Sequence, residues 1–309
     1  MIDVSPKFNT LRYAKAEGFL NGDPETMKRV AEKRVPKGDV LEVARAAGIA
    51  AAKKCSEWII FCHPIPLDWV EVFFEVERER LKVTVEVRSV WKTGVEVEAI
   101  TGVSGALLNA YDMLKPLDQS LSLGGIQVVK KKGGKSDFSD PFPEPLAAAV
   151  LVISDSTFAG TRKDKSGLII KDFLERQPVC VKNYEILPDD KEKIATRLSE
   201  LADREGIRLV FTTGGTGLGP RDLTPEATLQ VIERSVPGIC EAIRRHGKER
   251  TLYAMLSRGE AGVRGGCLII NLPGSSNGAR ESLEALFPGL LHLFPMMAGK
   301  GHGKKGDKK

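Results

Sequence analysis

The sequence predicts two domains of different class: an α+β domain with an antiparallel sheet and helices, then an α/β domain whose mainly parallel sheet is covered on both faces. Three observations predict it. The chain's 309 residues are enough for two cores of ordinary size. The stretch GGKSDFSDPFPEPL, from Gly133 to Leu146, is rich in Gly, Pro, Ser and Asp and has the composition of a linker. Across it the pattern changes, from strands with one apolar face to apolar strands alternating with amphipathic helices. The expected boundaries are 1–137 for the first domain, 138–146 for the linker, 147–300 for the second domain and 301–309 for a basic, disordered tail.

In the first half, Asp39 is placed to cap a helix over residues 40–54. Residues 70–77 and 81–87 are strand-like, because Val83, Val85 and Val87 alternate with Thr84, Glu86 and Arg88. Arg78, Glu79 and Arg80 between them make a tight hairpin. A helix over 98–114 then carries Ala99, Val103, Ala106, Ala110 and Leu114 as its buried stripe. In the second half, strands are expected over 147–154, 181–187, 208–213 and 267–272. Helices are expected over 164–177 and 189–204, from Thr224, and after Pro273-Gly274-Ser275-Ser276-Asn277-Gly278. Parallel sheets bind ligands at the carboxyl ends of their strands, so the loops after these strands are where a site belongs.

Composition narrows the functional classes. A content of 42% hydrophobic and 28% charged residues is that of a globular protein, and no run of 18 apolar residues offers a membrane span. The N-terminus has neither a basic leader nor an apolar core, so no secretory signal is expected. Cys55, Cys62, Cys180, Cys240 and Cys267 are odd in number and form no CxxC pair. That argues against a disulfide framework or structural zinc and fits a reducing cytoplasm. The net charge of +5 gathers in Lys130–Lys135 and the tail, and aromatics are only 6%, so no nucleic-acid partner is expected.

The motif with most chemistry is Thr212-Thr213-Gly214-Gly215-Thr216-Gly217-Leu218-Gly219-Pro220-Arg221-Asp222, between a strand and a helix. Its glycines let a ligand approach backbone N–H groups closely. Thr224-Pro225 starts the next helix, as a cap followed by proline, and adds positive dipole to that corner. The loop is neither a Walker A motif nor GxGxxG. Asp189, in LPDD, is either an N-cap or a site carboxylate, and Asp222 is either a turn residue or its companion. If these loops meet Asn271-Leu272-Pro273-Gly274-Ser275, two carboxylates face a phosphate-binding floor, as Mg²⁺-nucleotide chemistry requires.

LPDD, TTGGTGLGPRDLTPEAT and NLPGS, in this order over about 150 residues, resemble the molybdopterin-binding domain in its single-domain molybdopterin adenylyltransferase branch. The resemblance implies transfer of AMP from ATP to molybdopterin with Mg²⁺, with Asp189 and Asp222 as the catalytic, metal-holding carboxylates. Gly214, Gly215, Thr216, Gly217 and Ser275 would contact pterin or nucleotide, with Ser154 and Asp155 as further pocket residues.

In the first half, Phe61-Cys62-His63-Pro64 is not a Cys–His nucleophile pair, because neighbours in extended chain point opposite ways. Glu96 and Glu98 flank Val97 and share one face if extended. Asp112 and Lys115 are three apart on a helix and therefore neighbours, either as a surface ion pair or as an acid–base couple. If their face lines a pocket with Lys37, His63 and Lys131, crowded cations depress the lysine pKa values while Asp112 stays ionised.

MIDVS, KGDVLEVARAAGI, CHPIPL, KTGVEVEA, YDMLK and GGKS resemble the cyclic pyranopterin monophosphate synthase family across residues 1–137. That implies conversion of a 3′,8-cyclised dihydro-GTP into cyclic pyranopterin monophosphate with release of pyrophosphate and without a cofactor. The implied acid–base residues are Asp112 and Lys115. Lys37, His63 and Lys131 would contact substrate, with Phe61, Cys62, Val97 and Glu98 lining the pocket and Arg12, Lys53 and Lys92 as further candidates. Which of Lys130, Lys131 and Lys132 faces the substrate stays open. Such synthases have sites at subunit boundaries, which implies a homo-oligomer. The two implied steps are not consecutive, since sulfur is inserted between them, so other enzymes of the pathway are further expected partners. The alternative is that only the synthase half is catalytic and the second half is a molybdopterin-binding or oligomerising module. The retention of both Asp189 and Asp222 speaks against it.

Overall fold

Small inward-facing side chains build the first sheet. In the computed structural model, which describes residues 1–299, the chain divides into two compact units, Met1–Asp137 and a second from Phe138 onward. The expected tail over 301–309 lies outside the described residues. The first unit runs β1 (Thr10–Asn21), α1 (Pro24–Ala31), α2 (Val40–Lys53), α3 (Cys55–Trp58), β2 (Trp69–Val76), β3 (Arg80–Trp91), α4 (Glu96–Leu114) and β4 (Ser122–Lys132). Its four strands are antiparallel in the order β2-β3-β1-β4.

Ala14 lies opposite Val87 and Ala16 opposite Val85, and all four are fully buried. Against this face packs α4, whose Ala99, Val103, Ala106, Ala110 and Leu114 are fully buried. Helix α2 packs on α4 through small residues: a Cβ on Gly102 would lie 3.3 Å from the Gly48 carbonyl, and one on Gly105 would run into Ala51. The Asp39 cap forms, accepting from the N–H groups of Leu41 and Glu42 at 3.1 and 3.3 Å. Helix α4 begins at Glu96, two residues before the expected start. Glu96 and Glu98 are therefore helical, about 200° apart around the axis, and do not share a strand face.

The second unit runs β5 (Leu146–Ile153), α5 (Asp155–Phe158), α6 (Ser166–Leu174), β6 (Val179–Leu187), α7 (Lys191–Asp203), β7 (Leu209–Thr213), α8 (Thr224–Val231), β8 (Arg234–Ser235), α9 (Pro237–Lys248), β9 (Ala261–Arg264), β10 (Cys267–Leu272), α10 (Ser276–Leu286) and α11 (Leu293–Met297). The sheet order is β6-β5-β7-β10-β9-β8. The first four strands are parallel, and β9 and β8 continue the edge antiparallel. Alternate residues face opposite cores. Ala148, Val150, Phe211 and Ile270 pack with α6, α9 and α10, while Ala149, Leu151, Val210 and Ile269 pack with α7 and α8. This is the expected sheet covered on both faces, and it brings the ends of β5, β6, β7 and β10 to one edge.

Candidate functional sites

At that edge the loops meet. The N–H of Asp155, after β5, donates to Asp189 Oδ2 at 2.9 Å, and the N–H of Asp189, after β6, donates to Asp155 Oδ1 at 2.9 Å. Arg221, from the glycine loop after β7, pairs with Asp155. The fourth strand joins through Thr213, whose hydroxyl donates to the Pro273 carbonyl at 2.8 Å. Below, Asn271 is buried and donates to the hydroxyls of Thr212 and Thr228 at 2.9 and 2.8 Å, a strut between β10, β7 and α8.

Two glycines of the loop are required by conformation and by space. Gly214 and Gly215 have φ of 103° and 61°, where an L side chain is strained. A Cβ on Gly214 would strike the Ile153 carbonyl, and one on Gly215 would strike the Thr224 hydroxyl and come within 3.1 Å of Asp189 Oδ1. Thr224 is therefore not the helix cap: it lies inside the first turn of α8 and donates to the Gly214 carbonyl at 3.0 Å. Nor does Asp189 cap α7, since Asp190 does so, accepting from the Lys193 N–H at 3.1 Å. Asp189 is thereby left for the site. Burial raises its carboxyl pKa, and the nearby charges of Asp155 and Asp222 push the same way. Asp222 Oδ2 accepts from the Gly219 N–H at 2.7 Å.

Two cavities share the wall made by Gly214, Gly215, Asp222 and Ser275. One, of about 420 Å³, also contains Asp189 and is ringed by Arg162, Lys163 and Lys165. The other, of about 440 Å³, also takes in Thr216 and Gly217 and mixes Ile243, Tyr253 and Leu256 with Arg244. Ser275 Oγ accepts from the Gly278 N–H at 3.1 Å as the cap of α10, which leaves its own proton free to donate. Sequence reasoning missed Arg162, Lys163, Lys165 and Arg258. The first three stand in the run Arg162-Lys163-Asp164-Lys165 shortly after β5, a charge cluster at a strand end that was a usable signal. Arg258 donates from Nε to the Gly217 carbonyl at 2.7 Å, and also holds the Asp222 carbonyl and the Glu226 carboxylate.

In the first unit the expected residues fall into two groups. At the end of α4, Asp112 accepts from Lys115 Nζ at 2.7 Å and from Lys37 Nζ at 3.0 Å, and its carbonyl also accepts from Lys37 at 2.7 Å. Lys115, then Lys37, hold the Asp112 carboxyl below its ordinary pKa. Lys115 is raised by its bond to Asp112, not depressed as crowding cations would have made it. The carboxylate lies between the two ammonium groups and screens them from each other.

At the start of α4, a cavity of about 510 Å³ is lined by Phe61, Cys62, His63, Val97 and Glu98, together with Ile2 and Val4. His63 Nε2 lies 2.9 Å from the Ile2 carbonyl while Cys62 Sγ turns to Glu98 Oε1 at 3.2 Å, so the two side chains part. Burial pushes the Cys62 thiol up to about 12 and raises the Glu98 carboxyl. Lys131 Nζ is 3.4 Å from Glu96 Oε1. Arg12 is buried and donates to the carbonyls of Trp91 and Lys92. Lys53 is exposed on α2. Glu98 and Asp112 are 14 residues apart on one helix, about 21 Å at 1.5 Å per residue. The expected single pocket holding Lys37, His63, Lys131 and Asp112 is therefore not formed within one chain.

Comparison with known proteins agrees with both halves. Residues 1–134 match the MoaC family, and residues 149–292 match a family described as "Probable molybdopterin binding domain". The chain is 41% identical over 302 residues to the "Molybdenum cofactor biosynthesis bifunctional protein" of Chlorobaculum tepidum, covering 98% of this chain and 96% of that one. It is 37% identical over 316 residues to the protein of that name from Synechococcus elongatus, covering 98% and 99%. The first half alone is 46% identical over 137 residues to the cyclic pyranopterin monophosphate synthase of Aquifex aeolicus, 44% of this chain and 54% of that one. Two domain matches in one chain, together with relatives of one name that cover 98% of it, place this chain in the family of bifunctional molybdenum cofactor biosynthesis proteins.

Proposed function

We propose that the first unit converts the 3′,8-cyclised dihydro-GTP into cyclic pyranopterin monophosphate, and that the second transfers AMP from ATP to the terminal phosphate of molybdopterin. Each reaction releases pyrophosphate. For the second unit, the observation that carries the reading is the wall shared by two unlike cavities. Joining two ligands needs adjacent sites with a common reacting edge. The cavity ringed by Arg162, Lys163 and Lys165 suits a triphosphate. The cavity with Tyr253, Ile243 and Arg244 suits a flat pterin. Asp189 and Asp222 would hold Mg²⁺: they are hard oxygen donors, and neither cavity is lined by a histidine or cysteine among the described residues. When bound, the ion would neutralise phosphate charge. The backbone N–H groups of the glycine loop and the Ser275 hydroxyl would orient the phosphates at the wall. Asp222→Ala is expected to abolish formation of adenylylated molybdopterin, followed by mass spectrometry, at a stability cost of about 1 kcal/mol for the lost bond from the Gly219 N–H. Unchanged product formation would refute the assignment.

For the first unit, the reading rests on geometry: the Asp112 carboxylate stands 2.7 Å from Lys115 Nζ and 3.0 Å from Lys37 Nζ at the end of α4. The carboxylate can accept and Lys115 donate a proton during ring rearrangement. Lys37, His63 and Lys131 would contact the substrate, whose phosphates they suit. Because the two groups lie at opposite ends of α4, we place the complete site at the boundary between two copies, with Asp112 and Lys115 from one and His63 and Glu98 from the other. Co-expressed Asp112→Ala and His63→Ala chains, each inactive alone, would then recover about a quarter of wild-type conversion, the share of sites receiving both intact groups. No recovery in a mixed oligomer would place each site within one chain.

A further inference from the structure

We infer that Cys55, Cys62 and Glu98 form a binding site for a thiophilic divalent cation of the zinc class, with a fourth coordination position open to the cavity at the start of α4. Cys62 and Glu98 also line the pocket proposed for the first unit's substrate, so the ion would sit at that pocket's wall, where the proposed reaction does not itself call for one. Three separate segments deliver the donors: Cys55 opens α3, Cys62 follows the turn after it, and Glu98 lies in the first turn of α4. Their ligand atoms all lie within 4.8 Å of one another.

The spacing fits a tetrahedral ion. Two Zn–S bonds of about 2.3 Å meeting at the tetrahedral angle put the sulfurs about 3.8 Å apart. Cys55 Sγ and Cys62 Sγ are 3.8 Å apart. A Zn–S and a Zn–O bond at the same angle span about 3.5 Å, and Cys62 Sγ lies 3.2 Å from Glu98 Oε1.

A second observation points the same way. Glu98 is 3% exposed, yet its Oε2 has no hydrogen-bond partner. A buried carboxylate oxygen left bare calls for a cationic or donor partner. Outside the ligand set, the Thr101 hydroxyl donates to Cys55 Sγ at 3.4 Å, a contact that favours a thiolate and fixes its direction. Two thiolates and a carboxylate select zinc-like ions over magnesium. His63, turned to the Ile2 carbonyl, is not a ligand, so the remaining position faces the cavity that Cys62 and Glu98 line. A disulfide between the two cysteines would require the sulfurs to close from 3.8 Å to about 2.05 Å and would still leave Glu98 Oε2 without a partner.

The test uses the full chain, kept reduced by a non-chelating phosphine, freed of metal and titrated with Co²⁺. The expected result is one equivalent bound per chain, with sulfur-to-cobalt charge transfer and the strong visible bands of a tetrahedral site, both abolished by Zn²⁺. Cys55→Ala and Glu98→Gln should each weaken uptake at least about a hundredfold, while Cys180→Ser leaves it unchanged. Thermal melting checks that Cys55→Ala folds, and if it does not, the volume-conserving Glu98→Gln decides. Absence of the charge-transfer band in the wild type, or its retention in Glu98→Gln, overturns the site. A Cys55–Cys62 disulfide found by mass spectrometry after air exposure, in a protein that ignores Co²⁺ when reduced, makes the pair a redox couple and likewise overturns it.

Discussion

Arg258 shows how one residue far along the chain can set the geometry of a motif. It lies 41 positions from Gly217, yet its guanidinium holds the carbonyls of Gly217 and Asp222 and the Glu226 carboxylate together. The glycines give the loop conformational freedom, and Arg258 removes it from behind. Arg258→Ala is expected to lower kcat for AMP transfer about tenfold or more, since small displacements of positioned groups are costly, with conversion by the first unit unchanged. Arg258→Lys should restore part of the loss. Steady-state kinetics on both reactions check this, and an unchanged kcat would mean the loop orders itself. No motif or periodicity marked Arg258 in the sequence. By contrast, the neighbouring of Asp112 and Lys115 followed from their spacing on a helix. The direction of the Lys115 shift did not follow, because it is set by the direct bond from Lys115 to the Asp112 carboxylate, which outweighs any crowding by cations.

Helix α2 ties sequence to stability at the scale of an element. Its Asp39 cap was legible from one residue type before an alanine-rich run. The partner Lys33, at 2.9 Å, was not. Lys33 first, then the helix N–H groups, hold the Asp39 carboxyl below its ordinary value. A group whose pKa is lower when folded stabilises above its unfolded value and loses that contribution as pH falls through the folded one. Asp39→Ala should therefore cost about 1 kcal/mol near pH 7, and the gap in Tm should close as pH falls below about 3.9. A gap that does not depend on pH would show that shape, not charge, makes the cap.

Other elements were hidden for reasons of the same kind. Strand β1 turns Ala14, Ala16 and Gly18 inward, residues too small to produce a visible hydrophobic alternation. Strand β4 is an edge strand with most of its residues exposed. In the second unit β5, β7 and β10 were legible because they are buried on both faces and almost wholly apolar. The two-residue β8 was too short to leave a pattern.

In the whole molecule, two folds with different chemistry share one chain. In the first, the candidate residues fall into two groups, at opposite ends of one long helix. The second builds its site from loops at the carboxyl edge of a sheet, where backbone N–H groups and carboxylates converge. Among the described residues no helix is long and apolar enough to cross a membrane. The family resemblance implies a sulfur-insertion step between the two proposed reactions, so the two units need not exchange a product directly, and each site should fail alone. The measurement that tests this most directly assays both reactions on one preparation of the wild type and of Asp112→Ala and Asp222→Ala. The account predicts that the wild type performs both, that Asp112→Ala loses only conversion of the cyclised nucleotide, and that Asp222→Ala loses only AMP transfer. A wild type lacking either activity, or a variant that loses neither or both, would contradict it.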